Sequence, residues 1–158
     1  MSDNYIYKKA DSGDIELLVK TRLIVIRTVF KALDESLVPL LEKESRDYYI
    51  SSIASDMHTA YIIYDEEKFI GAGGISYYRV MPTPNIPDGR KAYIMNMYTA
   101  PEYRRRGIGM KTLGLLVEDA RSKGVGYISL EASPMGRPLY EKYGFVPDVN
   151  EMKYIPKY

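Results

Sequence analysis

The sequence predicts a single domain of the α/β (α+β) class, and three observations lead to this prediction. The chain has 158 residues, a length that suits one domain with its own apolar core. Segments with apolar residues at helical spacing alternate with segments rich in β-branched and aromatic residues, which favour strands. No internal repeat, linker or low-complexity segment divides the chain, so residues 1–158 are expected to form one unit.

The chain is predicted to begin with a strand and a long helix. The Tyr-Ile-Tyr segment at 5–7 is typical of a strand, and polar residues at 11–14 supply turn and helix-capping groups. Apolar residues then recur at helical spacing from residue 15 to about residue 33. Arg22 and Arg27 interrupt this stripe, and two interpretations stay open for them: a solvated helix face, or the border of an acceptor pocket.

A second helix and a pair of strands are expected next. Pro39 suits the first turn of a helix, which is expected to extend to about residue 57. Residues 59–64 predict a strand, residues 65–68 a hairpin turn, and residues 69–80 a long strand whose glycines mark a bulge or a close backbone approach. Residues 81–90 contain three prolines and form a loop, either the wall of a pocket or a plain hairpin connection.

The second half of the chain is predicted to alternate strands and helices and to close with two strands. In order, the predicted elements are a strand at 92–98, a helix at 110–123, a strand at 127–131, a short helix at 134–142, a strand beginning at 145–146 and a last strand at 152–155. Gly144 supports the C-terminal cap of the short helix.

The segment at 98–109 joins the fourth predicted strand to the third predicted helix. It reads Tyr-Thr-Ala-Pro-Glu-Tyr-Arg-Arg-Arg-Gly-Ile-Gly, so three arginines and two glycines stand where the helix begins. The first N–H groups of a helix have no intrahelical partner, and the helix dipole adds partial positive charge there. Glycines let the backbone approach a ligand closely. The segment therefore predicts an anion site, with a phosphate or pyrophosphate as the favoured ligand.

Two common phosphate-binding motifs do not fit this segment. A Walker loop needs a Gly-Lys-Ser/Thr ending, which is missing here. A dinucleotide-binding loop needs a third glycine, and the sequence has Thr112 at that position. The pattern that fits is Arg/Gln-x-x-Gly-x-Gly/Ala, present at residues 104–109.

With this pattern, residues 94–145 resemble the GCN5-related N-acetyltransferases (GNAT family), which bind the pyrophosphate of acetyl-CoA with such a loop. The resemblance also rests on the strand before the loop, the turn at Pro101 and the Leu-Tyr-Glu-Lys-Tyr-Gly-Phe segment at 139–145. It implies the GNAT fold, a mixed and mostly antiparallel sheet flanked by helices. In that fold, strands four and five splay apart and the cofactor enters the gap.

The resemblance further implies which residues hold acetyl-CoA. Backbone groups at the end of strand four would bind the pantetheine arm, and the arginine-glycine loop would bind the pyrophosphate. A serine would take the place of an asparagine that contacts the cofactor in the bacterial ribosomal-protein N-terminal acetyltransferases. The implied cofactor-binding residues are Met97, Tyr98, Thr99, Arg104, Arg105, Arg106, Gly107, Ile108, Gly109, Met110 and Ser133.

Two catalytic residues follow from the same resemblance. Tyr140 holds the place of a tyrosine that protonates the departing CoA thiolate, and the alternative is an aromatic residue packed under the sheet. Glu131 matches a glutamate that acts as base in the ribosomal-protein acetyltransferases, and the alternative is a structural glutamate paired with an arginine such as Arg137. Asn96 is a further pocket candidate because it alternates with Met95 along strand four, and the alternative is a structural residue.

Composition excludes several kinds of site. The chain has no cysteine, which rules out disulfides, thiolate metal sites and a cysteine nucleophile, and its single histidine cannot build a multi-histidine metal site. We expect that histidine, His58, to be a surface or capping residue beside Asp56. A formal net charge of +1 predicts no general affinity for polyanions, and no segment has the length of a transmembrane span. We expect a cytoplasmic protein that requires no metal.

The predicted function is an acetyl-CoA-dependent N-acetyltransferase that transfers the acetyl group directly to a primary amine of a small molecule or peptide. The acceptor pocket is expected between residues 15–57, the 81–90 loop and the C-terminal strands. No nucleic-acid or membrane partner is expected, and a homodimer is allowed. The alternatives are a non-catalytic CoA-binding regulatory protein on the same fold and a nucleic-acid-binding module that uses the three arginines.

Overall fold

The computed structural model describes residues 4–157, which contain five strands and four α-helices. The strands are β1 (Ile6–Lys9), β2 (His58–Asp65), β3 (Lys68–Arg79), β4 (Arg90–Thr99) and β5 (Tyr127–Leu130). The helices are α1 (Ile15–Val29), α2 (Val38–Ala54), α3 (Ile108–Ser122) and α4 (Arg137–Tyr143), with short 3₁₀ turns at Ser12–Asp14, Glu35–Leu37 and Pro101–Tyr103. Within residues 4–157, no helix has the length and apolar character needed to cross a membrane.

The five strands form one sheet in the order β1-β2-β3-β4-β5. Neighbouring strands are antiparallel except β4 and β5, which are parallel. The pairing of β4 with β5 stops at Ile94 and Leu130, although β4 continues to Thr99 in register with β3. The predicted mixed, mostly antiparallel sheet with strands four and five splayed apart is therefore confirmed.

Helices cover both faces of the sheet. Helix α3 packs on one face, where buried residues of β3, β4 and α3 form the largest apolar cluster, among them Ile75, Ile94, Leu113 and Leu116. Helices α1 and α2 cover the β2 side of the other face, where their residues Leu18, Val19 and Tyr49 form a buried cluster with Ile62 of β2. Because both faces of β2 and β3 are buried, these strands are apolar almost throughout rather than alternating.

A glycine of β3 sets how closely α3 approaches the sheet. A Cβ atom added to Gly73 would lie 2.6 Å from Thr112 Cγ2 and 2.9 Å from Met97 Sδ. Any larger residue would push α3 away from the sheet. The glycines in this predicted strand therefore mark a close approach, as expected.

A bulge bends β4 where it leaves β5. Gly74 pairs with Met95 and Ala72 pairs with Tyr98, so β4 has one residue more than β3 across this interval. Asn96 has a φ of 60°, in the left-handed region that asparagine tolerates better than most residues. Its side-chain oxygen accepts a hydrogen bond of 2.9 Å from Arg22 Nη1 on α1. The bulge is thus held by a contact between a strand and a helix distant in sequence.

The C-terminal prediction was wrong. Residues 145–157 contain no strand, although strands were expected at 145–146 and 152–155. Pro147 lacks the N–H group that a ladder needs, and the Asp148 carboxylate accepts a hydrogen bond from the Asn150 N–H, which makes a turn. The apolar side chains of this segment are exposed: Val146, Val149, Met152, Tyr154 and Ile155.

The prediction for His58 was also wrong, because its side chain is 6% exposed. His58 starts β2 and is paired with Ser76 in the sheet, which carries its ring beneath α2. Its Nδ1 lies 2.9 Å from the Tyr48 hydroxyl and 3.1 Å from Ser76 Oγ. Its Nε2 is buried without a hydrogen-bond partner among the described residues. Burial lowers the pKa of His58 to about 4, so the ring is neutral at physiological pH.

We predict that His58 makes folding stability pH-dependent below neutrality. The unfolded chain takes up the proton near pH 6.5 and the folded chain near pH 4, so stability is present above pH 6.5 and is lost as the pH falls. The loss between pH 7 and pH 4 is expected to be about 3 kcal/mol. Urea unfolding of wild type and His58→Gln measures this, because other titrating groups contribute equally to both. A constant stability difference at all pH values would contradict the prediction.

Candidate active site

The loop between β4 and α3 presents a helix N-terminus to open space. Gly107 is the N-cap of α3 with a φ of 82°, and no side chain in residues 4–157 caps this helix. The first intrahelical bond runs from the Lys111 N–H to the Gly107 carbonyl, so the preceding N–H groups have no partner within the helix. A Cβ atom added to Gly107 would meet nothing within 4 Å. The helix end can therefore accept an anion at its backbone.

The arginines of the loop fix its shape by hydrogen bonds and supply its positive charge. Arg104 Nε donates to the Thr99 carbonyl at 3.1 Å, and Arg106 Nη2 donates to the Glu102 carbonyl at 3.1 Å. Arg106 also contacts the Tyr5 hydroxyl at 3.2 Å. Arg105 has a φ of 63°, which turns the chain toward the helix. All three side chains are exposed, so positive charge is concentrated around the helix end.

The two residues after Gly107 fix the helix against its neighbours. The Ile108 side chain is 1% exposed and packs with Ile63 and Ile70, so only its backbone faces the loop. A Cβ atom added to Gly109 would come within 3.1 Å of Leu139 Cδ2, which brings α4 close to the start of α3. Met110 is half-buried in the same turn.

The end of β4 offers backbone groups along one edge. Tyr98 and Thr99 pair with β3, and the Tyr98 ring stacks on Phe69 with centroids 6.0 Å apart. Met97 packs against the apolar cluster under α3. In the described part of the chain no strand pairs with the opposite edge of β4 beyond Ile94. Backbone groups on that edge are thus available to a ligand that lies between β4 and β5.

Tyr140 lies at the centre of α4 and faces the core. Its side chain is 9% exposed, and its ring meets Phe145 edge-on with centroids 6.1 Å apart. Burial raises the pKa of Tyr140, so its phenol keeps its proton at neutral pH. A proton donor needs this protonated state. The packing of the Tyr140 ring in the core, which the alternative interpretation predicts, is present as well.

Ser133 lies just before α4. Its hydroxyl accepts a hydrogen bond of 3.1 Å from the Gly136 N–H, and its carbonyl accepts one of 2.9 Å from the Arg137 N–H. Ser133 therefore organises the start of α4. Its contact with a cofactor stays a prediction.

Glu131 follows β5 directly and is exposed. Ile128 and Leu130 pack into the apolar cluster, so the alternation of the strand directs Ser129 and Glu131 to the other face. The Glu131 carboxylate contacts Lys153 Nζ at 3.0 Å, and its side chain is 72% exposed. Arg137, the partner suggested by the alternative interpretation, contacts Glu141 at 2.7 Å instead.

Two clefts border the end of β5. The larger, of about 820 Å³, lies between β5, α4 and the segment after Gly144. The smaller, of about 520 Å³, lies on the same face of the sheet as α1 and α2, over the part of that face that these helices leave uncovered. Aromatic and charged residues line the smaller cleft, including Tyr78, Lys91, Tyr93, Tyr127 and Glu131. Sequence analysis missed this face, although the alternation of Lys91, Tyr93 and Met95 along β4 could have indicated it.

Other polar groups occupy the same side of the sheet. Tyr48, His58 and Ser76 form a hydrogen-bonded group under α2, with the two hydroxyls 2.5 Å apart. Arg22 reaches Asn96 at the bulge, whereas Arg27 is exposed and contacts Glu35 at 3.4 Å. In residues 4–157 no group of three or more His, Asp or Glu side chains could hold a metal ion.

The gap that opens between the parallel strands β4 and β5 has the open N-terminus of α3 beside it, so the fold leaves room there for a ligand that carries an anionic group. Residues 26–145 match the family model described as the acetyltransferase (GNAT) family. Because this match spans most of the sequence, the chain belongs to the GNAT acetyltransferase family.

Solved structures agree with this assignment. A predicted acetyltransferase from Clostridium acetobutylicum, crystallised with acetyl-CoA, is 32% identical, with a TM-score of 0.83 over 96% of each chain. A GCN5-related N-acetyltransferase from Ralstonia eutropha JMP134 is 23% identical, with a TM-score of 0.80 over 96% of this chain and 99% of that one, which shows the shared fold.

A curated relative matches a shorter stretch. The glucosamine 6-phosphate N-acetyltransferase of Trypanosoma brucei brucei is 33% identical over 76 residues. The match covers 47% of this chain and 52% of that protein, so it spans about half the length of each.

Proposed function

We propose that the protein is an acetyl-CoA-dependent N-acetyltransferase that transfers the acetyl group directly to a primary amine of a small molecule or peptide. The observation that carries this proposal is the N-terminus of α3, where the N-cap Gly107 has no side chain and leaves the space above it open, beside the unpaired edge of β4. Membership of the GNAT family supports it, as does the acetyl-CoA bound by the Clostridium relative.

The proposed binding mode uses backbone groups at two places. The N–H groups at the start of α3, from Gly107 to Met110, would bind the pyrophosphate, and the loop arginines would add positive charge. The free edge of β4 at residues 97–99 would bind the pantetheine arm and direct the thioester toward the bulge at Asn96. Catalysis would then rest largely on holding the amine and the thioester carbon in contact.

The reaction forms one bond and breaks another. The amine nitrogen bonds to the carbonyl carbon, and the bond from that carbon to sulfur breaks with its electron pair on sulfur. Tyr140 would donate a proton to the thiolate, which its raised pKa permits. Glu131 would accept a proton from the amine, directly or through a water. Backbone N–H groups of β4 would polarise the carbonyl oxygen.

An assay of thiol release from acetyl-CoA tests the function directly. Glucosamine 6-phosphate is the first acceptor to try, because the curated relative is named for it. Other primary amines, amino acids and N-terminal peptides complete the panel. Acetyl-CoA binding without acceptor-dependent thiol release for any amine would support a non-catalytic CoA-binding protein instead.

Gly107→Val should weaken acetyl-CoA binding at least about tenfold, because the side chain would fill the space above the helix end and strain a φ of 82°. Arg104→Lys should cost less, since the backbone remains intact. Titration calorimetry measures both affinities. Gly124→Val is the matched control, because Gly124 has a φ of 73° at the opposite end of α3. Equal affinities of wild type and Gly107→Val would contradict the binding mode.

Tyr140→Phe should lower turnover by about a hundredfold or more and leave acetyl-CoA affinity nearly intact. The substitution removes the proton donor but keeps the ring that packs on Phe145. Steady-state kinetics with an accepted amine gives the result, and Tyr143→Phe serves as control on the same helix. Unchanged turnover would mean that Tyr140 is a packing residue and that water protonates the thiolate.

Glu131→Gln should reduce activity near neutral pH and recover part of it at alkaline pH. Alkyl ammonium groups titrate near pKa ~10, so a larger fraction of the acceptor is already neutral there. A pH–rate profile of kcat/KM reveals the difference. Glu118→Gln, which changes an exposed glutamate of α3, is the control. A parallel profile at undiminished rate would exclude Glu131 as the base.

A further inference from the structure

Arg22 is a half-buried cation whose charge has no opposite charge beside it. Its Nη1 donates a hydrogen bond of 2.9 Å to the side-chain oxygen of Asn96, which is a neutral amide. Within residues 4–157 no carboxylate lies within ion-pair distance of its guanidinium. Burial lowers the pKa of Arg22, which reflects the cost of keeping this charge away from water.

Two other half-buried cations have carboxylate partners, whereas the half-buried Lys91 places its Nζ over the Tyr127 ring, 4.3 Å from the centroid. Arg46 contacts the Glu16 carboxylate at 2.6 Å and Glu42 at 3.1 Å, and Lys123 contacts Asp56 at 2.7 Å. Holding the bulge requires one N–H donor, which an uncharged side chain could supply. A guanidinium has five donors in a planar fork, so Arg22 retains capacity to bind a further acceptor.

Arg22 lies close to the place where the proposed reaction would occur. Asn96 lies just beyond the last β4–β5 pair, Ile94 with Leu130, where the gap between the two strands opens. A cofactor bound at α3 and along the end of β4 would place its acetyl group at this bulge. Arg22 approaches the bulge from the α1 side, opposite the face covered by α3. It therefore lies on the side of the sheet where the proposed base Glu131 also lies.

We propose that Arg22 binds an anionic group, a carboxylate or a phosphate, carried by the amine acceptor. This inference rests on the proposed acetyltransferase function and narrows its substrate class to amines that also carry a negative charge. The planar fork matches both anions through two parallel N–H···O bonds. The same contact would orient the acceptor, because one end is held at α1 while its amine reaches the thioester.

The test compares matched acceptors with and without the anion. Glucosamine 6-phosphate and glucosamine form the phosphate pair, and α-amino acids and their amides form the carboxylate pairs. For each pair, kcat/KM is measured in wild type, Arg22→Gln and Arg22→Lys. Calorimetry of the same compounds against protein saturated with CoA measures binding without turnover. Arg46→Gln is the control, because Arg46 is a half-buried arginine of α2 whose guanidinium contacts the carboxylates of Glu16 and Glu42.

Wild type should favour the anionic member of one pair by about tenfold or more, in kcat/KM and in binding. Arg22→Gln should bring this ratio close to one, with the loss on the anionic member, and Arg22→Lys should retain part of it. The pair that shows the preference identifies the anion. Arg46→Gln should keep the wild-type ratio.

Three results would overturn the inference. They are equal use and binding of both members by wild type, a preference that survives in Arg22→Gln, and an equal loss on both members, which would limit Arg22 to holding Asn96. If no amine is acetylated but the anionic member still binds in an Arg22-dependent manner, the proposed function fails and the anion site stands.

Discussion

The end of the β4–β5 pairing is the constraint on which the rest of the site depends. Strand β5 and its pairing with β4 both end at Leu130, whereas β4 keeps its ladder with β3 to Thr99. The bulge at Asn96 absorbs the extra residue and bends β4 away. Without this separation, β4 would have no free backbone edge, and the open N-terminus of α3 would adjoin a closed sheet.

The two faces of the sheet differ in chemistry around this opening. Under α3 the buried residues of β3 and β4 are mainly apolar, and they stabilise the fold by excluding water. Towards α1 and α2, strands β2, β3 and β4 present His58, Ser76 and Asn96 respectively, each in a hydrogen bond to a helix residue. Buried polar contacts of this kind cost stability unless they are satisfied, and they fix the helices in one register against the sheet.

Features that depend on neighbouring residues could be predicted from the sequence, and features that depend on distant ones could not. The strand, the glycine turn and the start of α3 were predictable because turn chemistry and helical spacing are local. The burial of His58 depends on Tyr48 and Ser76, and the role of Arg22 depends on Asn96, 74 residues away. The C-terminal strands were predicted from composition alone, but a strand also needs a partner edge, and residues 145–157 pair with none of the five strands.

The positions of the two proposed catalytic residues follow from the alternation of β5. Leu130 packs towards α3 and α4, where Tyr140 is buried, so Glu131 emerges on the opposite face near Tyr93. In an acyl transfer the attacking nitrogen and the departing sulfur are bonded to the same carbon and lie on different sides of it. A buried phenol on one side of the sheet can give a proton to sulfur while an exposed carboxylate on the other side takes one from nitrogen. In the proposed reaction, the two proton transfers would therefore take place on opposite faces of the sheet.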